Sequence, residues 1–198
     1  MCLIGRIVKS NSHVDYVCQV YGAGEIMSPP SPEDHAFGAF VRISLAAGEG
    51  YLAGLICDTV LMNPEFGHLG PRLSPVADLE VFSPDYLNER AVLVTVVAVG
   101  QVGAGGEVHQ GIPLPAATLG AAVEKMSGEE VRSFHSSPAG EGLLLAYAPW
   151  LLASGEPLML HLLLRVVDQF TSLFPGQSGH LAVLRGNLTW KSAVAPLG

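Results

Sequence analysis

Charged side chains are scarce in this sequence of 198 residues. Asp, Glu, Lys and Arg make up 14% of the chain, the ten Lys and Arg residues are scattered, and the formal net charge is −8. Nucleic acids and anionic membranes attract clusters of basic side chains, so direct binding to either is not expected. Hydrophobic residues reach 49%. This fraction is typical of a globular chain, and the low charged fraction predicts that a partner covers some apolar surface.

Cysteine is also scarce. Cys2, Cys18 and Cys57 are odd in number and lack CxxC spacing, which favours reduced thiols in a cytoplasmic protein. Arg6 interrupts the apolar start of the chain too early for a signal peptide. The longest apolar segment, residues 158–174, is too short and too charged to span a membrane. We therefore expect a cytoplasmic location.

Motifs for phosphate binding, nucleophilic catalysis and metal binding are missing from the sequence. The pair Lys191-Ser192 lacks the glycines of a Walker A loop, and His180 stands where a nucleophile elbow needs its last glycine. The seven histidines do not have the spacing of metal ligands. We therefore expect no catalytic residue, no metal and no cofactor.

One apolar stretch, residues 90–100 (RAVLVTVVAVG), organises the chain. Its β-branched residues indicate a strand, and its lack of apolar–polar alternation indicates that both faces are covered. The sequence therefore predicts a closed or nearly closed small β-barrel with an additional layer packed against one side. The other predicted strands are residues 4–9, 16–21, 40–45, 51–58, 79–82 and 107–110.

The pattern changes after residue 112. Ser127 and Glu130 form a capping box that begins a short helix. Ser154 is a plausible cap for a long apolar helix that ends at Pro175, and residues 181–184 and 188–190 look like short strands. The predicted fold class is mainly β with α. A small six-stranded β-barrel (residues 1–112) carries a smaller α/β C-terminal part (residues 113–198) packed on it.

The long helix carries the one polar constellation of interest, which we call the polar stripe: His161, Arg165 and Asp168. Their spacing by four and three places them on one line of the helix, where Arg165 and Asp168 can pair. The simplest interpretation is a solvated stripe on a mostly buried helix. The alternative is a ridge that docks a partner. Catalysis is not expected, because no nucleophile or oxyanion site accompanies the three side chains.

Four segments occur in a characteristic order: IGRIV, YLAGLICDTVLMNP, AVLVTVVAVG and GGEVHQGIPLPAATLGAAVEKMSGEEV. Together they resemble the HerA–ATP synthase barrel (HAS-barrel), which forms the N-terminal domain of HerA-type DNA-translocating ATPases. The resemblance covers residues 3–135, and in HerA relatives an ATPase core follows, which this chain lacks. The resemblance therefore implies an assembly module without ATPase activity, and it transfers no site residue.

The sequence thus predicts a non-enzymatic interaction or assembly module that works with a HerA-like ATPase or mediates oligomerisation. Its partner would be a protein or a second copy of the chain, bound through His161, Arg165 and Asp168. A different class of function remains open: an enzyme or cofactor-binding protein with a ligand cleft between the barrel and the C-terminal part. The long loops at residues 22–38 and 61–75 would frame that cleft.

Overall fold

The computed structural model describes residues 2–46, 48–63, 91–137 and 142–194. The strands are β1 Cys2–Ser10, β2 Asp15–Val20, β3 Phe40–Ser44, β4 Tyr51–Met62, β5 Ala91–Val102, β6 Val108–Gln110 and β7 Ala122–Lys125. The α-helices are α1 Gly128–His135, α2 Ala148–Ala153, α3 Met159–Leu173 and α4 Ser178–Val194, and a 3-10 turn at Pro175–Gln177 joins the last two.

Six antiparallel strands form a closed barrel in the order β2-β1-β7-β3-β4-β5, and the pairing of β2 with β5 closes it. β6 pairs only with the end of β5 and lies outside the closed ring. The predicted fold class, mainly β with α and built on a small six-stranded barrel, is confirmed.

The sixth strand of the barrel is not the predicted one. Residues 107–110 were expected to complete the barrel, but β7, which follows residue 112, inserts between β1 and β3. The barrel therefore takes a strand from the segment that the sequence assigned to the C-terminal part, and the division of the chain at residue 112 stays a prediction. The predicted strand at residues 79–82 lies outside the described residues.

β5 is covered on both faces, as its apolar sequence predicts. Val94, Val96 and Ala98 point into the barrel and are fully buried there. Val97 and Val99 point outward and are buried under the helices. Each such aliphatic side chain contributes about 1.5–3 kcal/mol when it is fully buried. The single apolar run therefore serves two separate cores.

The helices form the outer layer. The capping box that begins α1 is confirmed: the Glu130 amide donates to Ser127 Oγ (3.2 Å), and the Ser127 amide donates to Glu130 Oε2 (2.7 Å). The buried face of α3 packs against the barrel and the neighbouring helices. Its buried residues are Leu162, Leu163, Val166, Val167 and Phe170.

Two details of the predicted C-terminal part are wrong. Ser154 does not cap the long helix but ends α2, where its hydroxyl donates to the Leu151 carbonyl (2.8 Å). Gly155, with a φ of 76°, then separates α2 from α3. The predicted strands at residues 181–184 and 188–190 lie within α4. There Leu181 and Leu188, two helical turns apart, supply the buried contacts.

Candidate functional site

All three residues of the polar stripe are exposed on α3. The structure does not bring them together as a unit, because Asp168 Oδ1 accepts a hydrogen bond from Arg185 Nε on α4 (2.7 Å). Asp168 therefore pairs with Arg185 between two helices, whereas the sequence allowed a pairing with Arg165 along α3. Asp168 joins two helices, and His161 and Arg165 remain as surface residues. The role of the stripe in partner binding stays a prediction.

The stem of Arg165 lies against the loop before β3. A side chain on Gly38 would place its Cβ 2.6 Å from Arg165 Cγ, and Gly38 has a φ of 82°. Gln169, one turn later on α3, donates to the Gly38 carbonyl (2.8 Å). The aliphatic stem of Arg165 and the Gln169 hydrogen bond to the Gly38 backbone therefore hold this stretch of α3 to the loop before β3. The guanidinium of Arg165 adds charge at the surface.

We expect Arg165→Glu to change the free energy of unfolding by no more than about 0.5 kcal/mol, because an exposed charge away from a buried network has little effect on stability. Thermal denaturation measures this, with Arg165→Gln as the control that removes the charge and keeps most of the stem. A fall in melting temperature of more than about 4 °C for Arg165→Glu alone would show that the guanidinium is structural.

A cleft with a volume of about 590 Å³ lies between the barrel and the helices. This volume falls within the range of small-ligand sites. The cleft lies where the alternative hypothesis places a ligand site, between the barrel and the C-terminal part. The loop at residues 22–38 contributes none of the described lining residues, so it does not frame the cleft. Most of the other predicted loop, residues 61–75, lies outside the described residues.

The barrel wall of the cleft carries two carboxylates on either side of β5. Asp15 in β2 pairs with Val97, and Asp58 in β4 pairs with Thr95. Directly opposite residues in antiparallel strands share one face of the sheet. Val97 faces the helix layer, and Thr95, two residues earlier, shares its face. Both carboxylates therefore lie on the barrel's outer face, toward α2 and α3.

Asp15 is held in a tight turn but is incompletely bonded. Its amide donates to Ser12 Oγ (3.1 Å), and its Oδ2 accepts from Asn11 Nδ2 (3.2 Å). Its Oδ1 is buried and has no hydrogen-bond partner among the described residues. A buried acceptor without a donor costs free energy, so Oδ1 of this cleft-lining residue is available to a hydrogen-bond donor.

The thiol in the cleft is inert. Cys57 is the extra residue of a β-bulge between Ile56 and Asp58, it is 4% exposed, and its Sγ donates to the Thr95 carbonyl (3.5 Å). Burial, with the carboxylates of Asp15 and Asp58, raises the pKa of the Cys57 thiol to about 12. Only a thiolate is a strong nucleophile, so Cys57 is not one at neutral pH.

The helix wall of the cleft is mostly apolar. Trp150 and Leu151 come from α2, and Leu158 and Met159 come from the start of α3. Glu156 lies in the short connection between them and adds a third carboxylate. The sequence did not reveal this site, because its residues come from distant segments. The visible signal was limited to single aspartates at the start of β2 and within β4.

A second polar centre lies in the core beneath the helices. His135, at the end of α1, is fully buried. Its Nδ1 lies 2.7 Å from the Val131 carbonyl, and its Nε2 lies 2.9 Å from the Tyr147 hydroxyl. A carbonyl oxygen only accepts, so Nδ1 carries the proton and Nε2 accepts from Tyr147. Burial lowers the pKa of His135 to about 4, so the imidazole is neutral and structural.

Comparisons with known proteins identify the family to which the chain belongs. Among the described residues, no three or more His, Cys, Asp or Glu side chains are grouped as metal ligands. None of the described helices is both long enough and apolar enough to cross a membrane. No curated protein matches the chain. A family model with the description "Domain of unknown function (DUF8166)" matches residues 1–196. The chain therefore belongs to the DUF8166 family.

Proposed function

We propose that the protein is a non-enzymatic interaction module that binds a partner protein in the cleft between the barrel and the helices. The observation that supports this proposal is the composition of the cleft. An apolar wall from α2 and α3 faces the carboxylates of Asp15 and Asp58, and the one thiol present, Cys57, is held in its protonated form. Such a surface binds a complementary group, and no described histidine lines it to activate the hydroxyls of Ser12, Thr95 or Ser154.

The cleft does not favour the alternative of an enzyme with a flavin or nucleotide cofactor. These cofactors carry phosphate groups, which proteins bind with Lys, Arg or helix N-termini. Among the described residues that line the cleft, three are carboxylates and none is Lys, Arg or His. Repulsion between these carboxylates and a phosphate opposes binding of an anionic cofactor.

The resemblance to the HAS-barrel suggests the kind of partner. A HerA-like DNA-translocating ATPase or a second copy of the chain fits an assembly module of this type, and a cytoplasmic location belongs to the same proposal. The exposed stripe residues His161 and Arg165 on α3 are available for a secondary contact. Charged residues at the rim of an interface contribute mainly to specificity and to the association rate.

We expect Leu158→Arg to abolish partner binding without unfolding the protein. Leu158 lines the cleft and is 42% exposed, so an arginine there fits without entering the core and places its guanidinium among the carboxylates. The matched control is Val108→Arg on β6, which is 39% exposed and does not line the cleft. Affinity purification from cells that make the protein, with quantitative mass spectrometry, compares the proteins retained by each bait.

The proposal requires at least one protein to be retained by the parent and by Val108→Arg but lost from Leu158→Arg. Identical sets for all three baits would show that the cleft is not the binding site. A coloured cofactor or another small molecule retained in stoichiometric amount, seen by absorbance and native mass spectrometry, would instead favour the enzyme or cofactor-binding alternative.

A further inference from the structure

We infer that the cleft accepts a positively charged side chain, Lys or Arg, carried on an apolar segment of the partner. This inference rests on the proposed function and specifies the chemistry of the bound group. The carboxylates of Asp15, Asp58 and Glu156 line the cleft, and no described cationic residue lines it to neutralise them. A cleft of one charge sign beside low-dielectric walls concentrates the field that attracts the opposite charge.

The bonding of Asp15 supports the same conclusion. Among the described residues, its Oδ1 has no donor and its Oδ2 accepts only from the side-chain amide of Asn11. The Asp15 side chain lines the cleft, and the torsion about its Cβ–Cγ bond is broad in aspartate, so a small adjustment can turn Oδ1 toward an incoming donor. An ammonium or guanidinium group there would donate the missing hydrogen bond. A neutral or anionic occupant would leave it unmade.

The apolar wall fits the rest of such a side chain. Lys and Arg bury their methylene stems on apolar surface and keep their charged heads near acceptors. Met159 and Pro157 provide that surface, and the indole of Trp150 can also hold a cation against its face. Leu158, exposed beside the cleft, offers a contact for apolar neighbours of the basic residue. These contacts favour a basic residue on an apolar segment over a free amine.

The two tryptophans of the chain allow a direct binding measurement. Trp150 lines the cleft, whereas Trp190 is exposed on α4, so Trp190→Phe leaves one indole that reports on the cleft. Three peptides serve as probes, acetyl-Ala-Leu-X-Leu-Ala-amide with X as lysine, norleucine or glutamate. Norleucine matches the lysine stem without its charge. We expect the lysine peptide to bind at least about tenfold more tightly than the other two, and its affinity to fall as salt is added.

Asp15→Asn in the Trp190→Phe background tests the ion partner. The substitution is isosteric and removes the carboxylate, so we expect the lysine peptide to bind roughly ten- to a hundredfold more weakly. Glu49→Gln is the matched control, because it removes one carboxylate from the β3–β4 turn, roughly 20 Å along β4 from the cleft. If Asp15→Asn does not fold, Asp58→Asn is read in the same way.

Each outcome decides the inference. Equal affinity for the lysine and norleucine peptides would show that the cleft does not require a positive charge, although it would still be a binding site. If butylammonium binds as tightly as the lysine peptide, the apolar segment contributes nothing, and the ligand is a free amine instead of a side chain of a partner. Absence of a fluorescence change with every probe would overturn the inference as a whole. The comparison of Leu158→Arg with Val108→Arg would still decide the proposed function.

Discussion

Replacing Val96 with aspartate is expected to unfold the barrel. Val96 is fully buried in the interior, where its neighbours are Ile4, Tyr16, Ile56 and other apolar side chains. A carboxylate there has no partner, and burying an unpaired charge costs several kcal/mol or forces the group to become protonated. This cost is comparable with the whole stability of a domain of this size, about 5–15 kcal/mol. Urea denaturation followed by circular dichroism measures it.

The matched control is Val8→Asp, the same substitution on β1 at a side chain that is 40% exposed. We expect it to change stability by no more than about 1 kcal/mol. Val96→Ala, which removes volume without adding charge, should lie between the two. A Val96→Asp protein as stable as the parent would show that this face of β5 does not lie in a closed interior.

Acid is expected to destabilise the fold through His135, beginning at a higher pH than the pH at which carboxylates are protonated. Burial lowers the pKa of His135 to about 4 in the folded state, against 6.5 for the ordinary side chain. Between these values the unfolded chain binds a proton that the folded chain does not bind. The free energy of unfolding therefore falls as the pH decreases from 6.5 to 4, by about 3 kcal/mol in all.

Urea denaturation at a series of pH values measures this slope. His135→Phe should flatten it, because phenylalanine can pack among Phe40, Phe134 and Phe170 but does not titrate. Its stability at neutral pH should be lower, because the Tyr147 hydroxyl loses its acceptor. Val8→Ala, at a side chain that is 40% exposed and does not titrate, should keep the slope of the parent. An unchanged slope in His135→Phe would show that another group carries the acid sensitivity.

The parts of the fold that the sequence predicts are those encoded within one segment. The apolar run of β5 requires two covered faces, and both are found. The capping box at Ser127 and Glu130 fixes the start of α1 within four residues. The selection of β7 instead of residues 107–110 as the sixth barrel strand is not encoded within one segment. It depends on pairing with β1 and β3, eighty or more residues upstream, and neither segment has an apolar pattern long enough to decide it.

The cleft was beyond the sequence for the same reason. Asp15 and Asp58 become neighbours of one strand only after β2 and β4 pair with β5. The helical pattern did identify His161, Arg165 and Asp168 as exposed residues, because exposure follows from periodicity along one helix. It could not show that Asp168 pairs with Arg185, since that contact depends on how α4 lies against α3.

The insertion of β7 between β1 and β3 affects how the chain can fold during synthesis. β1 and β3 leave the ribosome early, but the strand that joins them is made only when residues 122–125 appear. Until then the sheet is open, with the facing edges of β1 and β3 unpaired. Unpaired strand edges can join with other chains, and ring closure over so many residues is slow. The nascent chain therefore passes through a stage at which these two edges are open to pairing with other chains, and a chaperone can protect them.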